Sequence, residues 1–332
     1  MSKADAAAAI LWVGATFYAL FGGADFGGGF WDLIAGDAAK GERPRALIQR
    51  SLTPVWEANH VWLIFILVVL WTAFPPAFSA IFSTLYVPIA LAALGIVLRG
   101  AGFAFRKLVV TLTGQRSFGA IFALSSVLTP FFMGAVVGAI ASGNVPADGN
   151  GDAFSSWLEP LPLLIGAMFV ATGAYLSAVF LVGDARRAGA ADLERYFVRR
   201  ALAAGGVAGL AAAAGLVELH AEARYVFDRL IDQGLPLVVL SVLCGIGLLA
   251  VLLRGGRRPL RPLAAGAVVA VIWGWGVAQF PYLLPTSLRI DQAAAPGPTL
   301  DIVFIVFAIA AVLVLPSLAL LYALSQRDLL EH

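Results

Sequence analysis

The sequence predicts an all-α membrane protein, with nine transmembrane helices arranged as two four-helix bundles plus one extra helix. Three observations predict it. Of 332 residues, 61% are hydrophobic and only 13% are charged. Apolar runs of about 20 residues recur along the whole chain, each long enough to cross a bilayer as a helix. The basic residues fall in alternate loops between those runs. The short alternating segments of a transmembrane β-barrel are absent. A net charge of +2 implies no nucleic acid partner, because the basic residues have a topological explanation. Residues 1–332 therefore read as a single polytopic membrane domain.

Taken in order, the first span covers 8–34. One lysine and one aspartate precede it, and a bulky Gly/Phe-rich stretch runs on to Trp31, so it reads as a retained span and not a signal peptide. The second and third spans, 55–73 and 79–98, flank Pro75-Pro76, which forces a tight turn. The fourth covers 118–141. The loop 142–157, with Asp148 and Asp152 among Gly and Asn, reads as a flexible turn. The fifth span, 158–182, begins near Pro160 and Pro162, where a missing N–H costs little. The rest are 201–219, 235–253, 262–280 and 302–324. Leu219 to Gln233 mixes apolar and charged residues as an interfacial helix does. The one cysteine, Cys244, lies in an apolar run and reads as a small buried hydrophobe.

Charge asymmetry sets orientation. The loops 35–52, 99–117, 183–200 and 254–261 and the C-terminal tail hold 18 of the 22 Lys and Arg residues. The N-terminus and the remaining loops hold 4. Cytoplasmic loops carry the basic excess, so the N-terminus is expected outside and the C-terminus in the cytoplasm. A weak internal similarity pairs Gly36-Asp37-Ala38 through Arg50-Ser51-Leu52 with Gly183-Asp184-Ala185 through Arg200-Ala201-Leu202. It suggests repeat units 8–141 and 158–280, with 302–324 as the extra helix.

Polar residues inside spans carry the functional reading, since hydrocarbon excludes them unless they are paired or neutral. Asp25 sits in Gly22-Gly23-Ala24-Asp25-Phe26-Gly27-Gly28-Gly29, about ten residues or roughly 15 Å from the basic end of span 1. An aspartate at that depth costs about 2.5–3.5 kcal/mol, while the glycines let a neighbouring helix come close. It reads as a protonatable relay, against the plainer case of a neutral aspartate bonded to a neighbour. In span 2, Trp56, Glu57, Asn59 and His60 fall within an arc of about 160°. Glu57 also suits a simple first-turn cap. Arg99 closes span 3 on the same side. A lone arginine there either snorkels to headgroups or pairs with Glu57, lowering a carboxyl pKa that burial raises. Asp32, at the basic end of span 1, is either a further uptake group or a solvated loop charge. Together Asp32 and Glu57 mark a mouth and Asp25 a deeper point of a proton path. His60 and His220 lack a second ligand at recognisable spacing, so a hydrogen-bonded histidine outweighs a haem or metal ligand. No zinc spacing, haem-attachment motif, phosphate loop or nucleophile elbow is present. The residues alone indicate a proton-carrying half-channel and show no catalytic or cofactor-binding group in this chain.

Three segments resemble subunit II of cytochrome bd-type quinol oxidases: Ala24-Asp25-Phe26-Gly27-Gly28-Gly29, Pro54-Val55-Trp56-Glu57-Ala58-Asn59-His60-Val61-Trp62-Leu63-Ile64, and Leu98-Arg99-Gly100-Ala101-Gly102-Phe103-Ala104-Phe105-Arg106. The likeness is close over about the first 106 residues and rests on length and span count beyond them. It implies an enzyme of the bacterial plasma membrane that oxidises quinol, reduces dioxygen to water and builds a proton motive force without pumping. Haems b and d and the main quinol site belong to the partner, subunit I. This subunit is implied to support that partner and to supply a cytoplasmic proton path through Asp25, Trp56, Glu57, Asn59 and Arg99. Small single-span subunits and a bound quinone or lipid are further implied company. Two departures stand out. Many relatives have aspartate at Glu57, and His60 replaces a glutamine common in relatives. The rival reading is a secondary transporter with buried carboxylates and an internal repeat.

Overall fold

The computed structural model describes residues 2–36, 38–52, 56–109, 112–256 and 259–326. Helix α1 (Lys3–Phe17) is capped by Ser2: its hydroxyl accepts from the Asp5 N–H, and the Asp5 carboxylate accepts from the Ser2 N–H. A π-helical turn, Tyr18–Gly22, joins α1 to α2 (Gly23–Leu33). Such a turn adds a residue to the local repeat and rotates everything beyond it, so it sets the face on which Asp25 emerges. Next come α3 (Ala38–Leu52), α4 (Trp56–Ala73), α5 (Pro75–Thr84), α6 (Tyr86–Leu108) and α7 (Leu112–Ala141). The second half has α8 (Pro160–Arg187), α9 (Ala191–Glu222), α10 (Arg224–Ile231), α11 (Leu235–Leu253) and α12 (Leu260–Gln279). A short antiparallel hairpin, β1 (Tyr282–Leu284) with β2 (Leu288–Arg289), leads through α13 (Ile290–Ala293) to α14 (Gly297–Gln326).

Among the described residues, eight helices are long and apolar enough to cross a membrane. A ninth crossing is reached if α4 and α5 form one broken span, bent by 117°. The all-α membrane fold and the expected span number agree with this. Helix α8 is the most buried span, while the apolar window of α14 buries nothing within the chain. The reason lies in small residues on α8. A Cβ added to Gly27 of α2 would fall 1.9 Å from the Gly173 carbonyl oxygen, so these two backbones touch. Just past this crossing, the Trp31 indole N–H donates to the Ala174 carbonyl at 2.8 Å. Two large apolar cores follow. One gathers Trp31, Ile48, Phe197, Leu252 and Leu260 at the basic end, and the other gathers Ala7, Phe74, Val145, Trp157 and Leu284 at the opposite end.

Several expected boundaries shift. The turn at Pro75-Pro76 leads into α5 and not directly into a span, so the third span begins at Tyr86 and extends past 98 to Leu108. The sixth is longer at both ends than 201–219. The 35–52 loop contains α3, because Leu47 and Ile48 find the Trp31 core. The 219–233 segment divides between the end of α9 and α10.

The 142–157 loop is ordered by its own carboxylates. Asp152 accepts from the N–H groups of Ser155 (2.7 Å) and Phe154 (2.9 Å) and from the Ser155 hydroxyl (2.9 Å). Asp148 accepts from the Asn150 N–H at 3.1 Å. Backbone donors favour the ionised form, and they hold both carboxyls below their ordinary pKa. A depressed pKa stabilises the turn above the ordinary aspartate range, and that help fades as pH falls through the lowered value. Carboxyl 13C shifts should therefore place the Asp152 titration below that of a free aspartate. A midpoint at or above the free value contradicts this account of the turn.

Candidate functional site

Asp25 and Arg99 meet inside the membrane-spanning region. Arg99 lies thirteen residues into α6, about 20 Å along it. Its Nη1 donates to Asp25 Oδ2 at 2.8 Å and its Nη2 to Oδ1 at 2.8 Å, the paired-fork geometry that suits guanidinium and carboxylate. Nη2 also reaches the Asp25 carbonyl at 3.2 Å, and Nε donates to Ser126 Oγ of α7 at 2.9 Å. Ser126 in turn donates to the Phe122 carbonyl at 2.6 Å. The guanidinium lies 4.8 Å from the Phe26 ring centre and 4.9 Å from that of Phe122, so aromatic rings add to its stabilisation. Both charged side chains are only 1% exposed.

Glycines permit this convergence. A Cβ on Gly29 would lie 2.1 Å from Ser126 Oγ, and one on Gly102 would lie 2.8 Å from the Phe122 backbone nitrogen. One on Gly95 would lie 2.2 Å from Thr129 Oγ1. Helices α2, α6 and α7 are thus held close enough for one arginine to bond two of them. Arginine stays protonated in proteins, and the fork places that charge directly on the Asp25 side chain. Removing one member of such a pair leaves an uncompensated buried charge and costs about 3–5 kcal/mol.

The other expected residues are placed as follows. Asp32 is buried, 3.4 Å from Arg45 Nε of α3, and is not a solvated loop charge. Asn59 is buried on α4. His60 sits between the Phe26 ring at 6.2 Å and the Tyr18 ring at 6.4 Å. It therefore adjoins the ring beneath Arg99. The side chains of Trp56 and Glu57 lie outside the described residues. Arg99 neither snorkels nor waits at the mouth; its carboxylate is Asp25, because α6 starts later than expected and draws the arginine inward. Both oxygens of Asp25 are engaged by Arg99. Ser126, the two flanking phenylalanines and Arg45 were not anticipated. The Ser125-Ser126 pair in an otherwise apolar run was the signal available for the first of these.

Rings occupy the surroundings of His60, and His220 Nε2 lies 2.9 Å from the cationic Arg224 Nη1. No group of three His, Cys, Asp or Glu that could hold a metal ion occurs among the described residues.

Similarity to known proteins covers almost the whole chain. The chain is 27% identical over 317 residues to a cytochrome bd ubiquinol oxidase subunit 2 of Bacillus subtilis, spanning 93% of this chain and 89% of that one. It is 26% identical over 181 residues to the cytochrome bd-I ubiquinol oxidase subunit 2 of Escherichia coli K12, about half of each. A chain of the bd oxidase structure from Geobacillus thermodenitrificans superposes with a TM-score of 0.81 at 25% identity, covering 98% of both. The family profile for cytochrome bd terminal oxidase subunit II matches residues 4–325, so the chain belongs to that family.

Proposed function

We propose that this chain is the haem-free subunit of a cytochrome bd-type oxidase, which oxidises a membrane quinol and reduces dioxygen to water. The observation that carries this reading is the family match over residues 4–325, joined to a superposition that leaves almost no part of either chain uncovered. Haems b and d belong in the partner, subunit I, and no step of the chemistry is assigned to a haem in this chain. The partner, the quinol and the surrounding lipid complete the assembly, with small single-span subunits as further members. The family and structural likenesses lend the secondary-transporter reading no support.

The chain resides in the bacterial plasma membrane with its basic loops in the cytoplasm, the N-terminus outside and the C-terminus inside, as the charge asymmetry favours. Glu57 stands as the mouth of a proton-uptake path, with Trp56, Asn59 and His60 at helical spacing along the sequence and Asp32 as a further entry group. The Asp25–Arg99 pair forms the inner wall. It braces α2, α6 and α7 against one another and does not itself pass the proton. Protonating Asp25 would strand a buried guanidinium, which is why the conducting role falls to groups around it. The internal repeat, units 8–141 and 158–280 with 302–324 extra, is retained as a duplication on the likeness of 36–52 to 183–202.

Glu57→Ala in the assembled complex is expected to slow quinol oxidation by roughly tenfold or more, as loss of a proton-transfer group does. The haem absorption spectrum should be preserved. Undiminished turnover would remove Glu57 from the path. A complex purified without any haem-bearing partner would remove the oxidase reading itself.

A further inference from the structure

A second polar site lies at the basic end of α9. Asp192, Arg195, Tyr196, Arg199 and Arg200 follow a spacing of three, four, seven and eight residues, which places them along one side of the helix. They line an open cleft of about 280 Å³. That is near the small end of ligand pockets, the scale of a headgroup and not of a whole lipid. Phe197, between them, is buried in the core, and the apolar part of α9 begins immediately beyond, with Ala201 and Ala204 buried as well.

The carboxylates on α8 and α9 at this end are already engaged. Asp192 is held by Arg43 of α3, Glu194 accepts from Arg186 at 2.7 Å, and Asp184 is shared by Arg187 and Arg261. Among the described residues, Arg195, Arg199 and Arg200 are left with no ion pair. Arg200 stacks on Tyr196 and lies 5.7 Å from the Trp31 ring. That pre-positions its charge, yet its Nε is buried with no acceptor. The Tyr196 hydroxyl is likewise buried with no partner. Three cations line one cleft where the helix enters its apolar run, and two unsatisfied donors lie buried in the same lining side chains; together they call for an anion bearing several acceptor oxygens.

We propose that this cleft binds the phosphate of an anionic phospholipid from the leaflet at the basic end. Arg195 and Arg199 supply charge at the rim, while Tyr196 Oη and Arg200 Nε donate from below. A zwitterionic headgroup would bring its own cation against three guanidinium groups, so the site discriminates by net charge. This inference stands on the membrane fold and the local geometry, and it does not rest on the oxidase reading.

The test is native mass spectrometry of the chain purified with its bound subunits, stripped of lipid and titrated with dioctanoyl phosphatidylglycerol, dioctanoyl phosphatidylcholine or inorganic phosphate. The phosphatidylglycerol adduct should form at least tenfold more tightly than the phosphatidylcholine adduct and should survive equimolar inorganic phosphate. Arg195→Gln with Arg199→Gln, both at exposed positions, should weaken the tightest adduct tenfold or more. Tyr196→Phe should weaken it severalfold. Arg254→Gln, which removes an exposed charge elsewhere at the same end, should leave it unchanged. Equal binding by phosphatidylcholine overturns the proposal. So does displacement by inorganic phosphate, which would make this a free-anion site, and so does undiminished binding in the Arg195/Arg199 variant.

Discussion

Asp25→Ala should destabilise the chain by about 3–5 kcal/mol, because Arg99 would remain charged with no carboxylate in a site that solvent does not reach. Arg99→Ala should cost as much in the opposite sense, leaving a buried carboxylate. The paired substitution Asp25→Leu with Arg99→Met should recover most of that loss. It removes both charges together, and apolar groups of similar volume replace buried ion pairs at little cost. Stability can be followed as the detergent concentration that dissociates the complex, and the double variant with its own two single components, Asp25→Leu and Arg99→Met, makes a double-mutant cycle. A coupling near zero would mean that the two side chains do not depend on each other.

Gly27→Ala should be the most damaging methyl group that can be added to α2. The new Cβ would stand 1.9 Å from the Gly173 carbonyl oxygen, 2.3 Å from its carbon and 2.8 Å from Ser177 Cβ. Two of these are backbone atoms, so no rotamer change relieves them and the helices must separate. The cost should be about 3 kcal/mol or more, the upper part of the range for overpacking. Separation would also disturb the Trp31 bond to Ala174 and the Asp25–Arg99 contact. Gly23→Ala, one turn earlier, is the control. Its Cβ would meet Leu176 Cδ1 at 3.7 Å, an ordinary contact, and alanine favours helix by up to about 1 kcal/mol. It should be neutral or mildly stabilising. Equal effects at the two positions would refute the close crossing.

The path from sequence to fold was most direct where hydrophobicity carries the information. The spans and their alternation with basic loops follow from residue type and spacing. The depth of Arg99 does not. It depends on α5, whose first residues read as a turn at Pro75-Pro76 and whose last six read as the start of the third span. Counting them as a separate helix moves Arg99 from the membrane edge to the level of Asp25. Its partner then follows from burial, but not from proximity in sequence, since 74 residues separate the two. The hairpin at Tyr282–Arg289 was hidden for a related reason: its strands are too short to show a period. Helix α3 was obscured by its charges, several of which bond across to other helices, as Arg43 does to Asp192. At the site, the glycines around Asp25 announced a close neighbour. Which neighbour came close was a tertiary matter, decided by Gly29 against Ser126 and Gly102 against Phe122.

The sharpest test of the bracing account is quinol-driven oxygen uptake by the Asp25→Leu/Arg99→Met complex, measured after its haem spectrum has been matched to the parent. Turnover close to that of the parent is the expected result, since the pair braces the helices and carries no proton. An assembled double variant with full haem content but oxygen uptake as low as that of Glu57→Ala would contradict it, and would place Asp25 among the groups that protons visit.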